Sequence, residues 1–271
     1  MKIGIGSYAY PQAMRGIGGQ RMTAMDVLAE AHALAVGVCQ LAENAGLDGM
    51  ANVELDELAR CARSSNIDIQ LGTRLSAADD VRQCFELCQR LNSTLLRVVL
   101  RQPESAPARA LEDWIEIVGS CAQQAERDGV TLAIENHDSI RAKDLHQIMQ
   151  SVNSSRVGIC FDSANSLGCF EAAEDVLAQL RGHIVCAHIK DVSIRRAGHS
   201  EGFAIEGRPA GSGALNIAFL VQQLRALPTD PALIVEHWCA PEKSFAATLV
   251  KEKQWTRASL GYLRAQEGRQ T

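Results

Sequence analysis

The chain has 271 residues, of which 46% are hydrophobic and 22% are charged, and these proportions exclude a disordered chain, a collagen and a coiled coil. The formal net charge of −5 and an aromatic content of only 4% disfavour a nucleic-acid partner, which needs cationic and stacking side chains. No uncharged apolar run approaches the ~18 residues of a membrane span, so we also predict no membrane partner.

Eight strand–helix units are predicted to follow one another along the chain. The strands are predicted at Lys2–Tyr8, Val38–Ala42, Ile67–Gly72, Leu95–Leu100, Val130–Ile134, Val157–Phe161, Ile184–Ile189 and Ala232–Val235. The helices are predicted at Thr23–Ala35, Val53–Ser64, Ala77–Leu91, Ala108–Arg127, Ala142–Val152, Ala172–Leu180, Leu215–Ala226 and Phe245–Leu263. Several strands are continuous apolar runs, which is typical of a parallel sheet that helices cover.

This alternation predicts the α/β class and, within it, a (β/α)₈ TIM barrel that residues 1–271 form as one domain. An open, doubly wound sheet is the alternative. Its dinucleotide-binding fingerprint would need a third glycine where Ala9 stands, after Gly4 and Gly6. Two long connections, Ala9–Met22 and Asp191–Gly213, follow strands and are expected to be lids or binding loops at the catalytic face.

The last four predicted strands each end in a residue that can bind a metal ion. In chain order these residues are Glu135, Asp162, His188 and Glu236. In a barrel the C-terminal ends of neighbouring strands meet at one mouth, where three carboxylates would repel one another without a cation. We therefore predict a divalent metal site. The donor set favours Mn²⁺, with Mg²⁺, Co²⁺, Fe²⁺ or Zn²⁺ as alternatives, although the absence of a cysteine ligand weakens a structural zinc site.

These residues also lie in segments that resemble a known family. The segments are Ala-Ile-Glu135-Asn136-His137, Cys-Phe-Asp162-Ser163-Ala164-Asn165, Ala-His188-Ile-Lys190-Asp191 and Val-Glu236. They resemble the xylose-isomerase-like TIM barrel superfamily over nearly the whole chain in strand order. The resemblance implies that Glu135 and Glu236 are both ligands and proton-transfer groups, and that Asp162 and His188 are ligands only. It also implies a homo-oligomer, since related barrels are often dimers or tetramers.

The resemblance points to more than one reaction. We predict an isomerase or epimerase that acts on a keto-sugar or sugar acid through an enediolate. Ketose 3-epimerases carry a histidine where Asn165 stands, and asparagine cannot carry a proton, which puts the epimerase assignment in doubt. The alternative is a metal-dependent decarboxylase or lyase of a 3-oxo sugar acid or a 3-keto-glycoside. The segments Lys190–Arg196 and Glu206–Gly213 resemble the 3-oxo-isoapionate decarboxylase-like subgroup.

Other side chains near the predicted mouth are candidates for substrate binding. Lys190 lies two residues after His188 on the same strand and is predicted to contact a carbonyl, carboxylate or phosphate. The further candidates are His137, Asn165, Arg74, Arg101 and Arg208. The three arginines suit the capture of an anionic group, so together with Lys190 they suggest an acidic substrate.

The remaining inferences concern location and rival functions. The nine cysteines include no Cys-x-x-Cys pair, which predicts reduced thiols and a cytoplasmic protein acting on a small molecule. A DNA-repair enzyme of the endonuclease-IV type would need additional histidine ligands, and only seven histidines are present. A non-catalytic binding barrel is disfavoured because all four metal-binding positions are intact.

Overall fold

The computed structural model describes residues 1–16, 21–102, 109–198 and 201–267. The strands are β1 (Ile3–Gly6), β2 (Val38–Leu41), β3 (Asp68–Leu75), β4 (Leu95–Leu100), β5 (Thr131–Glu135), β6 (Val157–Asp162), β7 (Ile184–Ile189), β8 (Asp191–Arg196), β9 (Phe203–Arg208) and β10 (Ala232–Val235). The α-helices are α1 (Pro11–Arg15), α2 (Ala24–Ala33), α3 (Asn52–Ser64), α4 (Arg82–Leu91), α5 (Leu111–Asp128), α6 (Ala142–Val152), α7 (Ala173–Leu180), α8 (Ile217–Arg225) and α9 (Phe245–Glu267). Within the described ranges, no helix is long and apolar enough to cross a membrane.

Eight parallel strands close into a barrel in the order β1-β10-β7-β6-β5-β4-β3-β2, which confirms the predicted (β/α)₈ fold. Most strand residues are buried, because one face points into the barrel and the other is covered by helices. Val38, Cys160 and Ile234 belong to a small cluster on one face of the sheet, and a larger apolar cluster joins the strands to the helices. Because all eight strands are parallel and the barrel is closed, their C-terminal ends meet at one mouth.

Some predicted boundaries shift in the structure. The third predicted strand continues to Leu75, because β3 stays paired with β4 over its whole second half. The helix predicted to follow it begins as a 3₁₀ turn, Ala78–Val81, and becomes α-helical only at Arg82. Ala108, which was predicted to be helical, lies outside the described residues, and α5 begins at Leu111.

Both long connections contain secondary structure where the sequence analysis predicted loops. The first includes α1, and its residues 17–20 lie outside the described part. The second, apart from residues 199–200, forms an antiparallel hairpin of β8 and β9. Gly207 lets this hairpin pack closely against the segment after β10, because a Cβ at that position would come within 2.2 Å of the Trp238 carbonyl oxygen. Asp191 holds the returning chain by accepting the backbone N–H groups of Gly211 and Gly213.

Candidate metal centre and active site

The four predicted ligands meet at the barrel mouth because their strands end in register. Glu135 and Asp162 are the last residues of β5 and β6, and Asp162 pairs with His188 across β6 and β7. Glu236 directly follows β10. All four side chains are almost completely buried. Glu135, Asp162, His188 and Glu236 are together called the carboxylate–histidine cluster below.

The imidazole of His188 lies at the centre of this cluster. Its Nδ1 is 3.4 Å from Glu236 Oε2, 3.5 Å from Glu135 Oε1 and 3.6 Å from Asp162 Oδ2. No described atom forms a hydrogen bond with Nδ1, although it is fully buried. Ligands placed about 2.0–2.2 Å from one metal ion are themselves separated by about 3.0–3.5 Å. These spacings therefore suit atoms that share a cation better than atoms that hydrogen-bond directly to one another.

The electrostatics of the cluster also favour a cation. Burial alone would lower the pKa of His188, but the Glu236 and Glu135 carboxylates raise it to about 10. Burial opposes ionisation of Glu135, yet the charges of His188 and Arg97 hold its pKa well below the ordinary value. A divalent ion beside Nδ1 supplies the positive charge that these carboxylates require. Glu135, Asp162 and His188 hold one ligand atom each within 4.8 Å of one another, and Glu236, 3.4 Å from the same imidazole nitrogen, adds a third carboxylate to a donor set that suits a divalent metal ion.

The two glutamates of the cluster have different surroundings. Both oxygens of Glu135 are engaged: Asn165 Nδ2 donates a hydrogen bond of 2.6 Å to Oε1, and Arg97 Nε lies 3.2 Å from Oε2. Glu236 Oε2 lies 3.0 Å from Lys190 Nζ, whereas its Oε1 is buried and has no hydrogen-bond partner among the described residues. Lys190 Nζ also donates a hydrogen bond of 2.7 Å to Asp162 Oδ2. Glu236 Oε1 thus has no hydrogen-bond partner among the described residues, whereas both oxygens of Glu135 are engaged, and Glu236 Oε1 lies against Gly6, where a Cβ would come 2.9 Å from it.

Two buried polar residues that contact the cluster are not among the site residues predicted from the sequence. Arg97, in the middle of β4, forms the ion pair with Glu135 and donates to the Thr73 carbonyl oxygen. Gln40, in β2, accepts a hydrogen bond of 2.7 Å from His188 Nε2 through its Oε1. Each is the one polar residue in its otherwise apolar strand. A polar residue within an apolar strand indicates a buried polar contact, and this was the sequence feature that could have identified both residues.

A cavity of about 530 Å³ opens above the cluster. Five of the six predicted substrate-binding residues line it, namely His137, Asn165, Lys190, Arg74 and Arg208. Arg74 Nε donates to Glu43 Oε1 at 2.7 Å, and Tyr8 Oη donates to the same oxygen at 2.8 Å. Arg101, the sixth predicted residue, is not part of the described lining of the cavity. Its backbone N–H donates to the Leu75 carbonyl oxygen.

Comparisons with known proteins agree with this architecture. A family model described as xylose isomerase-like TIM barrel matches residues 66–266. The 3-oxo-isoapionate decarboxylase of Pectobacterium atrosepticum is 25% identical over 263 residues, covering 97% of this chain and 95% of that protein. D-psicose 3-epimerase of Clostridium cellulolyticum H10 is 14% identical with a TM-score of 0.74, covering 98% of this chain and 99% of that one. The IolI protein, solved with a zinc atom, is 16% identical with a TM-score of 0.72, covering 96% of each chain.

Proposed function

The chain belongs to the xylose isomerase-like TIM barrel family, and on that premise we propose that it is a divalent-metal-dependent decarboxylase of a 3-oxo sugar acid. The carboxylate–histidine cluster would hold the ion. When bound, a divalent cation supplies a Lewis acid that polarises a carbonyl oxygen of the substrate and stabilises the negative charge that develops there. Similarity to a 3-oxo-isoapionate decarboxylase over nearly the whole length of both chains supports this reaction class.

The unequal surroundings of the two glutamates carry the proposal. Epimerisation needs one group to remove a proton and another to return it on the opposite face. Glu135 is poorly suited to either task, because Asn165 and Arg97 engage both of its oxygens. Decarboxylation needs no proton to be removed from carbon and only one to be delivered.

The balance of charge in the cavity supports an acidic substrate. The described lining residues include six cationic side chains, Arg15, Arg74, Arg97, Lys190, Arg208 and Lys251, and four carboxylates, Glu43, Glu135, Glu206 and Glu236. The whole chain has a net charge of −5, so this local excess of positive charge is a property of the cavity. Such a field attracts anions.

The proposed reaction balances with one proton taken up. The bond between C1 and C2 of the 3-oxo acid breaks, CO₂ leaves, and the electron pair forms the enolate between C2 and C3. C2 then takes one proton, and the product is a ketose shorter by one carbon. We assign delivery of that proton to Glu236, because its Oε1 has no hydrogen-bond partner among the described residues, whereas both oxygens of Glu135 are engaged. Lys190 lies beside the other oxygen of the same carboxylate and contacts the anionic substrate.

Sugar isomerisation or epimerisation is the second candidate function. Glu135 comes from β5 and Glu236 follows β10, and two strands, β6 and β7, separate them in the barrel. The two carboxylates therefore approach the cavity from different sides, as transfer of a proton between two faces of an enediolate would need.

We further propose that residues 1–271 form one catalytic domain. A cytoplasmic location is proposed from the nine cysteines, all of which are free thiols.

One experiment separates the two candidates. The Mn²⁺-loaded protein is incubated in D₂O with a panel of ketoses and 3-oxo sugar acids and followed by NMR. We expect CO₂ release and a shorter ketose with one deuterium on the newly protonated carbon. Deuterium next to the carbonyl with an unchanged carbon count would replace this proposal by the isomerase or epimerase. Protein dialysed against a chelator gives the background rate, because 3-oxo acids also lose CO₂ without a catalyst.

Gln40 offers a test of the metal site that does not depend on turnover. Its Oε1 accepts a hydrogen bond from His188 Nε2, which orients the ring so that Nδ1 faces the three carboxylates, and its Nε2 donates to Gln70 Oε1 at 3.1 Å. We expect Gln40→Leu to lower the affinity for Mn²⁺ by about 10–100-fold. Gln40→Glu keeps an acceptor at that position and should retain the affinity.

Free Mn²⁺ measured by electron paramagnetic resonance during titration gives the affinity of each variant. Thermal unfolding of the metal-free proteins checks that both variants fold. Equal Mn²⁺ affinities in Gln40→Leu and the unaltered protein would remove Gln40 as a positioning residue for His188.

A further inference from the structure

The cavity has a second end, away from the carboxylate–histidine cluster. It extends to the crevice between α1 and α9 and to the hairpin of β8 and β9. We call this end the distal lobe and define it by Gln12, Arg15, Arg208, Lys251 and Trp255. The reacting carbons of a small sugar acid need only the end that contains the cluster, so the distal lobe is left for another part of the ligand.

Hydrogen bonds connect the two helices, α1 and α9, that flank the distal lobe. The completely buried carboxylate of Glu252, in α9, accepts the backbone N–H groups of Gln12 at 2.7 Å and Ala13 at 3.2 Å. Gln12 Nε2 also donates to the Cys239 carbonyl oxygen at 2.9 Å. These bonds fasten α1 to α9 and to the segment after β10. The side chains that α1 and α9 present to the cavity are therefore held at a fixed separation.

Three cationic side chains, Arg15, Arg208 and Lys251, line the distal lobe. Arg15 has no acidic partner among the described residues. Lys251 Nζ donates to Glu242 Oε1 at 2.7 Å and to the Ala240 carbonyl oxygen at 3.1 Å, which leaves one of its three protons for a ligand or solvent. Arg208 is 3.3 Å from Glu206, a carboxylate that also pairs with a second arginine of the hairpin. Lys251 and Arg208 thus pair with Glu242 and Glu206, whereas Arg15 has no acidic partner among the described residues. The buried Glu252 carboxylate is engaged by two backbone N–H groups.

Two tryptophan side chains line the cavity. The chain has three tryptophans, and Trp238 and Trp255 both line this one cavity. Lys251 Nζ lies 5.3 Å from the centre of the Trp255 ring, which places its charge at the edge of an apolar wall. Trp238 is 39% exposed, although large apolar side chains are usually buried. These rings give the cavity apolar surface beside its charged groups, which suits the carbon skeleton of an anionic ligand.

We propose that the distal lobe binds a second anionic group of the substrate, a phosphate ester or a second carboxylate. The reacting carbons lie meanwhile at the carboxylate–histidine cluster, a placement that rests on the proposed function. Arg15 and Lys251 provide the charge-assisted hydrogen bonds for this group, and Arg208 closes the lobe from the hairpin.

Inorganic phosphate is the probe, and the protein is kept metal-free with a chelator so that phosphate cannot bind a metal ion. Tryptophan fluorescence follows the titration, because Trp238 and Trp255 line the cavity. We expect saturable binding, weakened by at least about tenfold in Arg15→Gln and lost in the double variant Arg15→Gln/Lys251→Gln. The control, Arg82→Gln, removes an exposed arginine that pairs with Asp79 on the outside of the barrel and should bind phosphate unchanged.

Malonate is titrated in the same way to distinguish a carboxylate from a phosphate ester. Tighter binding of either anion, with the same dependence on Arg15 and Lys251, supports the proposal and identifies the group. Absence of saturable binding for both anions, or equal affinities in the double variant and the unaltered protein, overturns it. Because neither metal nor turnover is involved, this result is independent of whether the protein proves to be a decarboxylase or an isomerase.

Discussion

Replacing Glu236 with glutamine is expected to slow turnover by about 10²–10⁴-fold while the protein keeps its fold. The amide has the size of the carboxylate but cannot carry a proton. Glu236 Oε1 is buried and has no described hydrogen-bond partner, so its exchange for an amide group breaks no internal hydrogen bond. Because Glu236 is also one of the four proposed metal ligands and its Oε2 pairs with Lys190, kcat is measured with Mn²⁺ at a saturating concentration, where the loss of turnover should persist.

Glu135→Gln is the matched comparison, because it makes the same chemical change on the other side of the cluster. Glu135 pairs with Arg97 and accepts from Asn165, so the amide disturbs two contacts as well as a metal ligand. We expect this variant to lose Mn²⁺ affinity first, and to lose turnover as a consequence. Retention of turnover within a factor of about three in Glu236→Gln, with the metal bound, would contradict its assignment as the proton-transfer group.

The parts of the molecule that the sequence predicted correctly depend on local pattern. Each member of the carboxylate–histidine cluster follows or ends a continuous apolar run, and such runs predict buried strands. Once eight alternating units indicate a parallel barrel, the C-terminal strand ends must share one mouth. The convergence of Glu135, Asp162 and His188 therefore follows from chain order alone, and the structure brings their side chains together.

The hairpin and the partners of Arg97 depend instead on contacts between distant segments. The segment between β7 and α8 is rich in glycine, which predicts a loop, yet packing of Gly207 against the Trp238 backbone holds it as paired strands. Arg97 interrupts an apolar strand, so a buried partner could be expected for it. Nothing near it in the sequence indicates that Glu135 is that partner, since the pairing depends on the register between β4 and β5.

Arg97 is expected to make a large contribution to the free energy of unfolding. We expect Arg97→Met to lower the free energy of unfolding by about 3–5 kcal/mol, because it removes one partner of a buried ion pair and leaves a charge without compensation. The Arg97 guanidinium is almost completely buried and lies near two carboxylates, at 3.2 Å from Glu135 and 3.8 Å from Glu43. Urea denaturation of the metal-free protein at neutral pH measures the change.

Two further variants show whether the unpaired carboxylate is the cause. Arg97→Met/Glu135→Gln removes the uncompensated charge as well, and should recover a substantial part of the lost stability. Arg82→Met breaks an exposed ion pair with Asp79 and should cost less than about 1 kcal/mol. If Arg97→Met is no more destabilising than Arg82→Met, the buried pair does not hold β4 to β5. Glu135 would then be fixed at the mouth by Asn165 and the metal ion without the arginine.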